Sequence, residues 1–343
     1  MLKAHFKKYQ LQFKFNALTS RGGMEFKHGY YLFISDGVDT GIGECSFIEG
    51  LSIDNIANYE ATLELLCKHI EHEHTEASVN LSHYPSIKAG YEMALLDLKN
   101  NGSKILYPSE FIQGKKQIAI NGLVWMGTND FMLQQINQKL QDGFKCIKIK
   151  VGAINFDDEI ELIKYIRENF SAEQIEIRLD ANGAFKENDV FEKLDRLAVF
   201  NIHSLEQPVK QGQMELMKTV CATSPIPIAL DEELIDLKEI TRDELLRLIK
   251  PQYIILKPSL LGGFKSCNEW IKQATKHKTH WWATSALESN IGLNAIAQWA
   301  FVQGPDIVHG LGTGGLYINN ISSPLFINNG HLGYNPLLTW GEV

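Results

Sequence analysis

Apolar residues recur along the chain with two periods, and the first part of the chain mixes both. Alternation of apolar and polar residues predicts strands at Lys7–Phe15, Tyr30–Ser35 and Thr40–Cys45. Apolar residues three or four positions apart predict helices at Ile53–His69 and Ser86–Lys99. The sequence Asn100-Asn101-Gly102 is expected to end the second helix. Residues 1–115 are therefore predicted to form an α+β domain.

From Ile118 onward, short apolar runs alternate with amphipathic segments, which is typical of βα units around a parallel sheet. The runs predict strands at Ile118–Val124, Cys146–Val151, Ile175–Asp180, His203–Glu206, Ile226–Asp231, Tyr253–Lys257, His280–Ser285 and Ile307–Leu311. This number of units favours a closed barrel over residues 116–311, with an open doubly wound sheet as the alternative. Residues 312–343 are rich in Asn, Gly and Pro and are predicted to return to the first domain.

Charged residues lie at the C-terminal ends of five successive predicted strands. They are Lys150, Asp180, Glu206, Asp231 and Lys257, separated by 30, 26, 25 and 26 residues. Each separation is about one strand–helix unit, so a barrel brings all five to the rim where barrel active sites lie. Strand alternation also directs these side chains inward, together with Lys148, while their apolar neighbours face the helices.

Three carboxylates on neighbouring strands repel one another unless a cation lies among them. Asp180, Glu206 and Asp231 offer oxygen ligands without His or Cys, a set that suits Mg²⁺, with Mn²⁺ as an alternative. Lys150 and Lys257 are then placed to move protons on either side of a bound substrate, and Lys148 adds positive charge beside Lys150. A buried structural ion-pair network is the other interpretation, but it does not require all five residues to fall at strand ends.

The order of these residues resembles the muconate-lactonizing subgroup of the enolase superfamily. That subgroup has a Lys-x-Lys motif on the second barrel strand, then Asp, Glu and Asp metal ligands, then a Lys on the sixth strand. The resemblance extends to Gly41-Ile42-Gly43-Glu44 and to residues 91–98. It implies an α/β fold, a modified TIM barrel of the (β/α)7β type with an N-terminal α+β capping domain. It also implies a Mg²⁺-dependent enzyme that uses a lysine as base next to a carboxylate.

Three further motifs resemble the dehydratases of this subgroup that act in menaquinone biosynthesis, and they lie at residues 19–22, 284–289 and 309–314. The implied substrate is a small-molecule carboxylate. Lys150 would remove its alpha proton, Lys257 would stay cationic on the opposite face, and loss of water would give an aromatic product. Arg21 is expected to close over the substrate, unless it is a solvated loop residue. Ser285, Ser289 and Gly292 are expected to bind a substrate anion, but the same residues also suit the capped start of a helix near Asn290.

Other reactions fit the same residues. Racemisation of an N-acylamino acid or epimerisation of a dipeptide would use Lys150 and Lys257 as opposed acid and base. A Schiff-base aldolase would form an imine on Lys257, although such a mechanism does not need three clustered acids. A catalytically silent barrel kept for binding is a third alternative, and the intact set of charged residues argues against it.

Composition narrows the class of protein without identifying it. The chain has 343 residues and a formal charge of −8, which gives no support to nucleic-acid binding. No apolar run approaches the roughly 18 residues needed to span a bilayer, so no membrane association is expected. Five scattered cysteines and no apparent secretory leader predict a reduced, cytoplasmic protein. The oligomeric state stays open.

Overall fold

The computed structural model describes residues 2–19, 22–71, 79–238 and 240–343. The first domain is built on an antiparallel sheet in the order β1 (Lys3–Thr19), β2 (Gly22–Ser35) and β3 (Thr40–Cys45). Helices α1 (Tyr59–Glu71) and α2 (Pro85–Lys99) pack against it. The predicted strands are confirmed, although β1 and β2 continue as a long hairpin. Helix α1 begins later than predicted because residues 56–58 form a 3-10 turn.

Two glycines of the Gly41-Ile42-Gly43-Glu44 motif bring helix α2 against strand β3. A Cβ atom at Gly43 would lie 1.8 Å from the carbonyl oxygen of Gly90, and one at Gly41 would lie 2.1 Å from that of Ala94. Both contacts are with backbone, which cannot swing aside, so only glycine fits. The motif therefore fixes the distance between sheet and helix and sets the position of Glu44, which directly follows.

The second part of the chain forms the predicted barrel. Its parallel strands follow one another around the sheet in chain order: β5 (Gly122–Val124), β6 (Cys146–Lys150), β7 (Glu176–Asp180), β8 (Ser204–Glu206), β9 (Ile228–Leu230), β10 (Tyr253–Leu256) and β11 (His280–Ala283). The helices outside them are α3 (Asn129–Gln141), α4 (Phe156–Asn169), α5 (Val190–Ala198), α6 (Met214–Thr223), α7 (Arg242–Ile249), α8 (Pro258–Leu261), α9 (Gly263–His277) and α10 (Asn290–Gln303).

Residues 309 and 310 close the barrel at the eighth position. The backbone N–H of Gly310 donates to the oxygen of Ala283 (2.8 Å), and that of His309 donates to the oxygen of Ala119 (2.9 Å). The N–H of Asn121 donates back to His309 (3.0 Å), so both edges of the sheet are joined. The closed barrel is thereby confirmed over the doubly wound alternative. The predicted eighth strand is reduced to single bridges, because only these residues find partners on both sides.

The tail contacts both parts of the molecule. Tyr317 pairs with Phe13 of β1, and the N–H of Ile318 donates to the oxygen of Gln12 (3.0 Å). The hairpin of β12 (Leu325–Asn328) and β13 (His331–Tyr334) instead pairs with β4 (Ile118–Ala119), which the sequence assigned to the first barrel strand. The domain boundaries at residues 115 and 311 stay predictions.

Strand alternation sorts the barrel side chains as predicted. Ile147, Ile149 and Leu179 face the helices and belong to the main apolar core. The lower end of the barrel interior is filled by Tyr253 and Trp282, with the Arg178 guanidinium 4.2 Å from the Trp282 ring centre. The predicted lysines and acids lie at the opposite, C-terminal ends of the strands. Among the described residues, no helix combines the length and apolar character that crossing a bilayer would need.

Burial of His309 is expected to make folding stability depend on pH. The ring is fully buried, its Nδ1 accepts from the N–H of Ala283 (3.0 Å), and its Nε2 contacts the oxygen of Gly304 (3.1 Å). Burial lowers the pKa of His309 from 6.5 to about 4. Between pH 6.5 and pH 4, the unfolded chain binds a proton at His309 more readily than the folded chain does. The contribution of His309 to folding stability is therefore full above pH 6.5 and is lost as the pH falls towards 4. The loss amounts to about 3 kcal/mol.

The measurement is the free energy of urea unfolding between pH 7 and pH 4, compared for the wild type and His309→Gln. The variant should be less stable at pH 7 and should lose about 3 kcal/mol less on acidification. Parallel curves for the two proteins would show that His309 does not carry this pH dependence.

Candidate active site

The predicted charged residues meet at the C-terminal rim of the barrel. A cavity of about 780 Å³ lies there, and its wall includes Lys148, Lys150, Asp180, Asp231 and Lys257. Glu206 lies just behind the wall, where its Oε2 accepts from Lys148 Nζ at 2.5 Å. The spacing of one strand–helix unit therefore does bring these side chains together.

Each acid is held by at least one lysine. Lys148 Nζ lies 3.0 Å from Asp180 Oδ2 as well as contacting Glu206, and Lys150 Nζ lies 3.1 Å from the same Asp180 oxygen. Lys257 Nζ donates to Asp231 Oδ2. The ammonium groups thus lie between the carboxylates and offset their mutual repulsion.

The balance of charge differs from acid to acid. Burial opposes ionisation of Asp180, but Lys148 and Lys150 outweigh it and hold the pKa of this carboxyl well below its usual range. Burial, with the negative charge of Asp180, raises the pKa of Glu206 to about 8 despite Lys148. The lysines alone therefore leave Glu206 short of positive charge.

The donor set fits a hard divalent cation. Glu206 Oε1 is buried and has no hydrogen-bond partner among the described residues. A buried carboxylate oxygen without a partner is costly, and a cation with oxygen ligands would relieve it. In the described ranges no three His, Cys, Asp or Glu side chains are gathered closely enough to enclose an ion, because lysine ammonium groups stand between the acids.

The other side of the cavity is apolar, and the first domain supplies part of it. Its apolar wall is formed by Phe15, Met24, Ile48, Leu51, Leu123, Trp125, Leu287 and Leu316. The first four belong to the β1–β2 hairpin and to the segment after β3, so the first domain covers the barrel mouth. A charged floor under an apolar cover suits a carboxylate that carries a ring or another apolar group.

Comparison with known proteins identifies the scaffold. Residues 132–332 match a family model described as enolase C-terminal domain-like. The chain belongs to the enolase superfamily. This enolase-superfamily chain is 42% identical to an o-succinylbenzoate synthase of Desulfotalea psychrophila, over 97% of its own length and 99% of that protein.

Two solved structures share the superfamily fold. The crystal structure of MenC from Desulfotalea psychrophila is 39% identical, with a TM-score of 0.86 over 97% of this chain and 99% of that one. A dipeptide epimerase from Enterococcus faecalis, complexed with Mg and the dipeptide L-Leu-L-Tyr, has a TM-score of 0.84 at 22% identity, covering 97% of each chain. The second likeness shows the fold alone. The predicted modified TIM barrel with its capping domain is confirmed.

Lys150 contacts two residues of this superfamily site that the sequence analysis did not predict. Lys150 Nζ donates to Asn182 Oδ1 at 2.6 Å, and it lies 5.9 Å from the ring centre of Trp125. Asn182 could have been predicted as a site residue, because it lies two residues after Asp180, just beyond the C-terminal end of β7. Trp125 follows β5 and carries no comparable signal.

The predicted substrate-binding residues divide into three cases. Arg21 lies outside the described residues, although Gly22 and Gly23 beside it line the cavity. Ser285 also lines the cavity, but its hydroxyl already bonds Thr313 Oγ1 (2.7 Å) and accepts from the N–H of Leu287 (3.0 Å). A role for Ser285 in substrate binding stays a prediction.

Ser289 and Gly292 bind an anion that the chain itself supplies at the start of helix α10, and their role in substrate binding stays a prediction. Glu44 of the capping domain accepts from Ser289 N (2.8 Å), Ser289 Oγ (2.5 Å) and Gly292 N (2.8 Å). Tyr9 also donates its hydroxyl to Glu44. Ser289 is the N-cap of α10, where its Oγ accepts from the N–H of Ile291. Neither residue lines the cavity.

Proposed function

We propose that this chain catalyses the reaction of o-succinylbenzoate synthases, in which a hydroxylated cyclohexadiene carboxylate with a succinyl chain loses water and becomes aromatic. The observation that carries the proposal is 42% identity to such an enzyme over nearly the full length of both chains. The cavity supports it, because charged groups that suit a carboxylate face an apolar wall that suits the ring.

Lys150 acts as the base in this proposal. Its ammonium is held by Asp180 and Asn182 at the cavity wall and has to lose a proton before it can accept the substrate's alpha proton. The electron pair of the broken C–H bond moves towards the substrate carboxylate. Protonated Lys150 then gives its proton to the departing hydroxyl as the C–O bond breaks, so the base is regenerated for the next cycle.

Lys257 lies on the other side of the acids and stays cationic. Burial disfavours its charge, but Asp231 and Glu206 outweigh burial and raise the pKa of Lys257 above its ordinary value. A fixed positive charge stabilises the negative charge that develops on the ring during proton removal. It can also make a cation–π contact with the ring.

Asp180, Glu206 and Asp231 would hold Mg²⁺, or Mn²⁺ in its place. When bound, the ion would supply positive charge that offsets the negative charge developing on the substrate carboxylate. The unpartnered Glu206 Oε1 and the raised pKa of that residue support the assignment, since both mark a place where positive charge is lacking.

A second candidate is racemisation of an N-acylamino acid or epimerisation of a dipeptide. The placement of Lys150 and Lys257 on opposite sides of the acid cluster favours it, because that chemistry needs an acid and a base on opposed faces. Identity to the dipeptide epimerase of known structure is only 22%, so the likeness adds no support for the substrate.

The deciding experiment incubates the protein with the cyclohexadiene substrate and Mg²⁺ and follows formation of the aromatic product by absorbance. Rapid, enzyme-dependent product formation that stops on addition of a chelator is expected. The same preparation is incubated with L-Ala-L-Glu and L-Leu-L-Tyr in deuterated water. Alpha-proton exchange and epimer formation without any aromatic product would overturn the proposal in favour of the second candidate.

We also infer that the protein works in the cytoplasm. Its five cysteines are all buried and unpaired, as is usual in a reducing compartment. The inference would fail if fractionated cells held the protein outside the cytoplasm.

A further inference from the structure

A buried lysine of the first domain takes no part in the chemistry proposed above. Lys27 lies on β2 and is only 3% exposed, although a lysine ammonium is among the groups that proteins bury least readily. It does not line the cavity. Burial lowers the pKa of Lys27 to about 8, and the negative charges of Glu44 and Glu288 act against this fall. A charge kept at such a place needs a reason.

The Lys27 ammonium is held by carbonyl oxygens. Its Nζ donates to the carbonyl oxygen of Phe47 at 2.5 Å and to that of His28 at 2.9 Å. It also lies 5.5 Å from the ring centre of Phe47. In the ranges that the structure describes, these two carbonyls are its hydrogen-bond partners, and no carboxylate bonds it directly. The ammonium therefore ties the backbone at Phe47 to strand β2.

The residues that begin at Phe47 form a turn over the barrel mouth, and we call residues 47–52 the cap turn. The backbone N–H groups of Leu51 (3.0 Å) and Ser52 (2.8 Å) both donate to the oxygen of Ile48. The N–H of Ile48 donates to Ser52 Oγ at 2.8 Å. Ile48 and Leu51 line the cavity. The carbonyl that Lys27 holds thus directly precedes a cavity-lining residue.

The cap turn rests on the barrel through apolar contacts. Its side chains Ile48 and Leu51 pack against a barrel cluster made of Ile235, Leu260 and Ala286. Apolar contacts are non-directional, so they draw the turn to the barrel without fixing the depth of its backbone. A hydrogen bond from a charged donor is directional and stronger than one between neutral groups. Lys27 supplies the one that fixes the start of the turn.

We propose that Lys27 is a positioning residue for substrate binding, which holds the cap turn at the depth where Ile48 and Leu51 close the cavity over the substrate. The inference rests on the proposed function for the choice of ligand. The reacting groups Lys150 and Lys257 lie on or directly after barrel strands and do not depend on the cap turn. Loss of Lys27 should therefore weaken binding and leave the chemical step nearly unchanged.

The first test compares the steady-state kinetics of wild type and Lys27→Met with the cyclohexadiene substrate and Mg²⁺. Methionine keeps most of the length of the side chain and removes the charge and the donors. KM should rise about tenfold, while kcat stays within about threefold. Lys8→Met is the matched control, because Lys8 lies in the same sheet and pairs with Glu60 at the surface. A lower melting temperature with an unchanged KM would show a role in folding alone and would overturn the proposal.

A second variant acts on the same turn and leaves the buried charge in place. Ser52→Ala removes the hydroxyl that accepts from the N–H of Ile48, and it should raise KM about threefold. Because both side chains act through the cap turn, the double variant with Lys27→Met should raise KM by less than the product of the two single effects. Fully multiplicative effects would contradict a shared action on the turn.

Hydrogen exchange of peptides that cover residues 46–54 measures the turn directly and needs no substrate. In Lys27→Met the amides of the cap turn should exchange about tenfold faster, with exchange in α9 unchanged. Unchanged exchange in the cap turn would overturn the proposal. Turnover is scored separately: a protein whose turn loosens in Lys27→Met but which does not dehydrate the substrate refutes the proposed function alone. One that dehydrates it with an unchanged KM in Lys27→Met refutes the role of Lys27 alone.

Discussion

Replacement of Lys150 by alanine is expected to lower turnover by about a thousandfold or more. In the proposed mechanism, the substitution removes the amine that takes the alpha proton and the proton that later leaves with the hydroxyl. Lys148 keeps its contacts with Asp180 and Glu206, so the acid cluster remains balanced and the protein should stay folded. The expected result is an inactive protein with nearly normal Mg²⁺ affinity.

The measurement is the rate of aromatic product formation, with thermal unfolding and Mg²⁺ titration of the same preparation. Lys164→Ala is the matched control, since Lys164 is exposed and its one ion pair among the described residues is with Glu161 on the surface of α4. Retention of more than about a tenth of the wild-type rate by Lys150→Ala would exclude this residue as the base.

Replacement of Asp231 by asparagine is expected to weaken Mg²⁺ binding by about a hundredfold or more. The change keeps the size of the side chain and removes one negative charge from the proposed ligand set. It also removes the charge that Lys257 contacts, so the pKa of Lys257 should fall and its cationic role should weaken. Turnover at low Mg²⁺ should therefore be lost, with partial recovery at high Mg²⁺.

Calorimetric titration with Mg²⁺ tests this result directly. Asp236→Asn provides the control, because Asp236 is exposed and, within the described part of the chain, its carboxylate accepts a hydrogen bond from the nearby N–H of Lys238 alone. Identical titrations for wild type and Asp231→Asn would remove Asp231 from the ligand set. Loss of folding in Asp231→Asn alone would instead indicate that its ion pair with Lys257 is structural.

The charged half of the site could be predicted because two regularities of strands act together. Strand alternation sends Lys148 and Lys150 to one side, and unit spacing brings Asp180, Glu206 and Asp231 to one rim. Both can be read from a single sequence. The eighth barrel strand was harder, because closure depends on backbone partners of residues 309 and 310 and not on an apolar pattern.

Contacts between residues that are distant in the chain could not be predicted from the sequence. Nothing in the pattern around Ser289 indicates that the anion at the start of α10 is Glu44, which lies 245 residues earlier in the chain. A polar side chain is distinctive only when it lacks a partner, and that depends on every neighbour in three dimensions.

The contact of Glu44 with helix α10 has a consequence for how such enzymes can be recombined. The first turn of α10 is paired with the carboxylate of Glu44, which belongs to the other domain. The barrel therefore cannot be moved to another protein without an acid that replaces Glu44. In a chimera that joins this barrel to the cap of a relative, the cap has to keep an acid at position 44 and glycine at positions 41 and 43, which set the position of that acid. Without them the substituted cap would leave the exposed end of α10 to attract solvent anions next to the catalytic chamber.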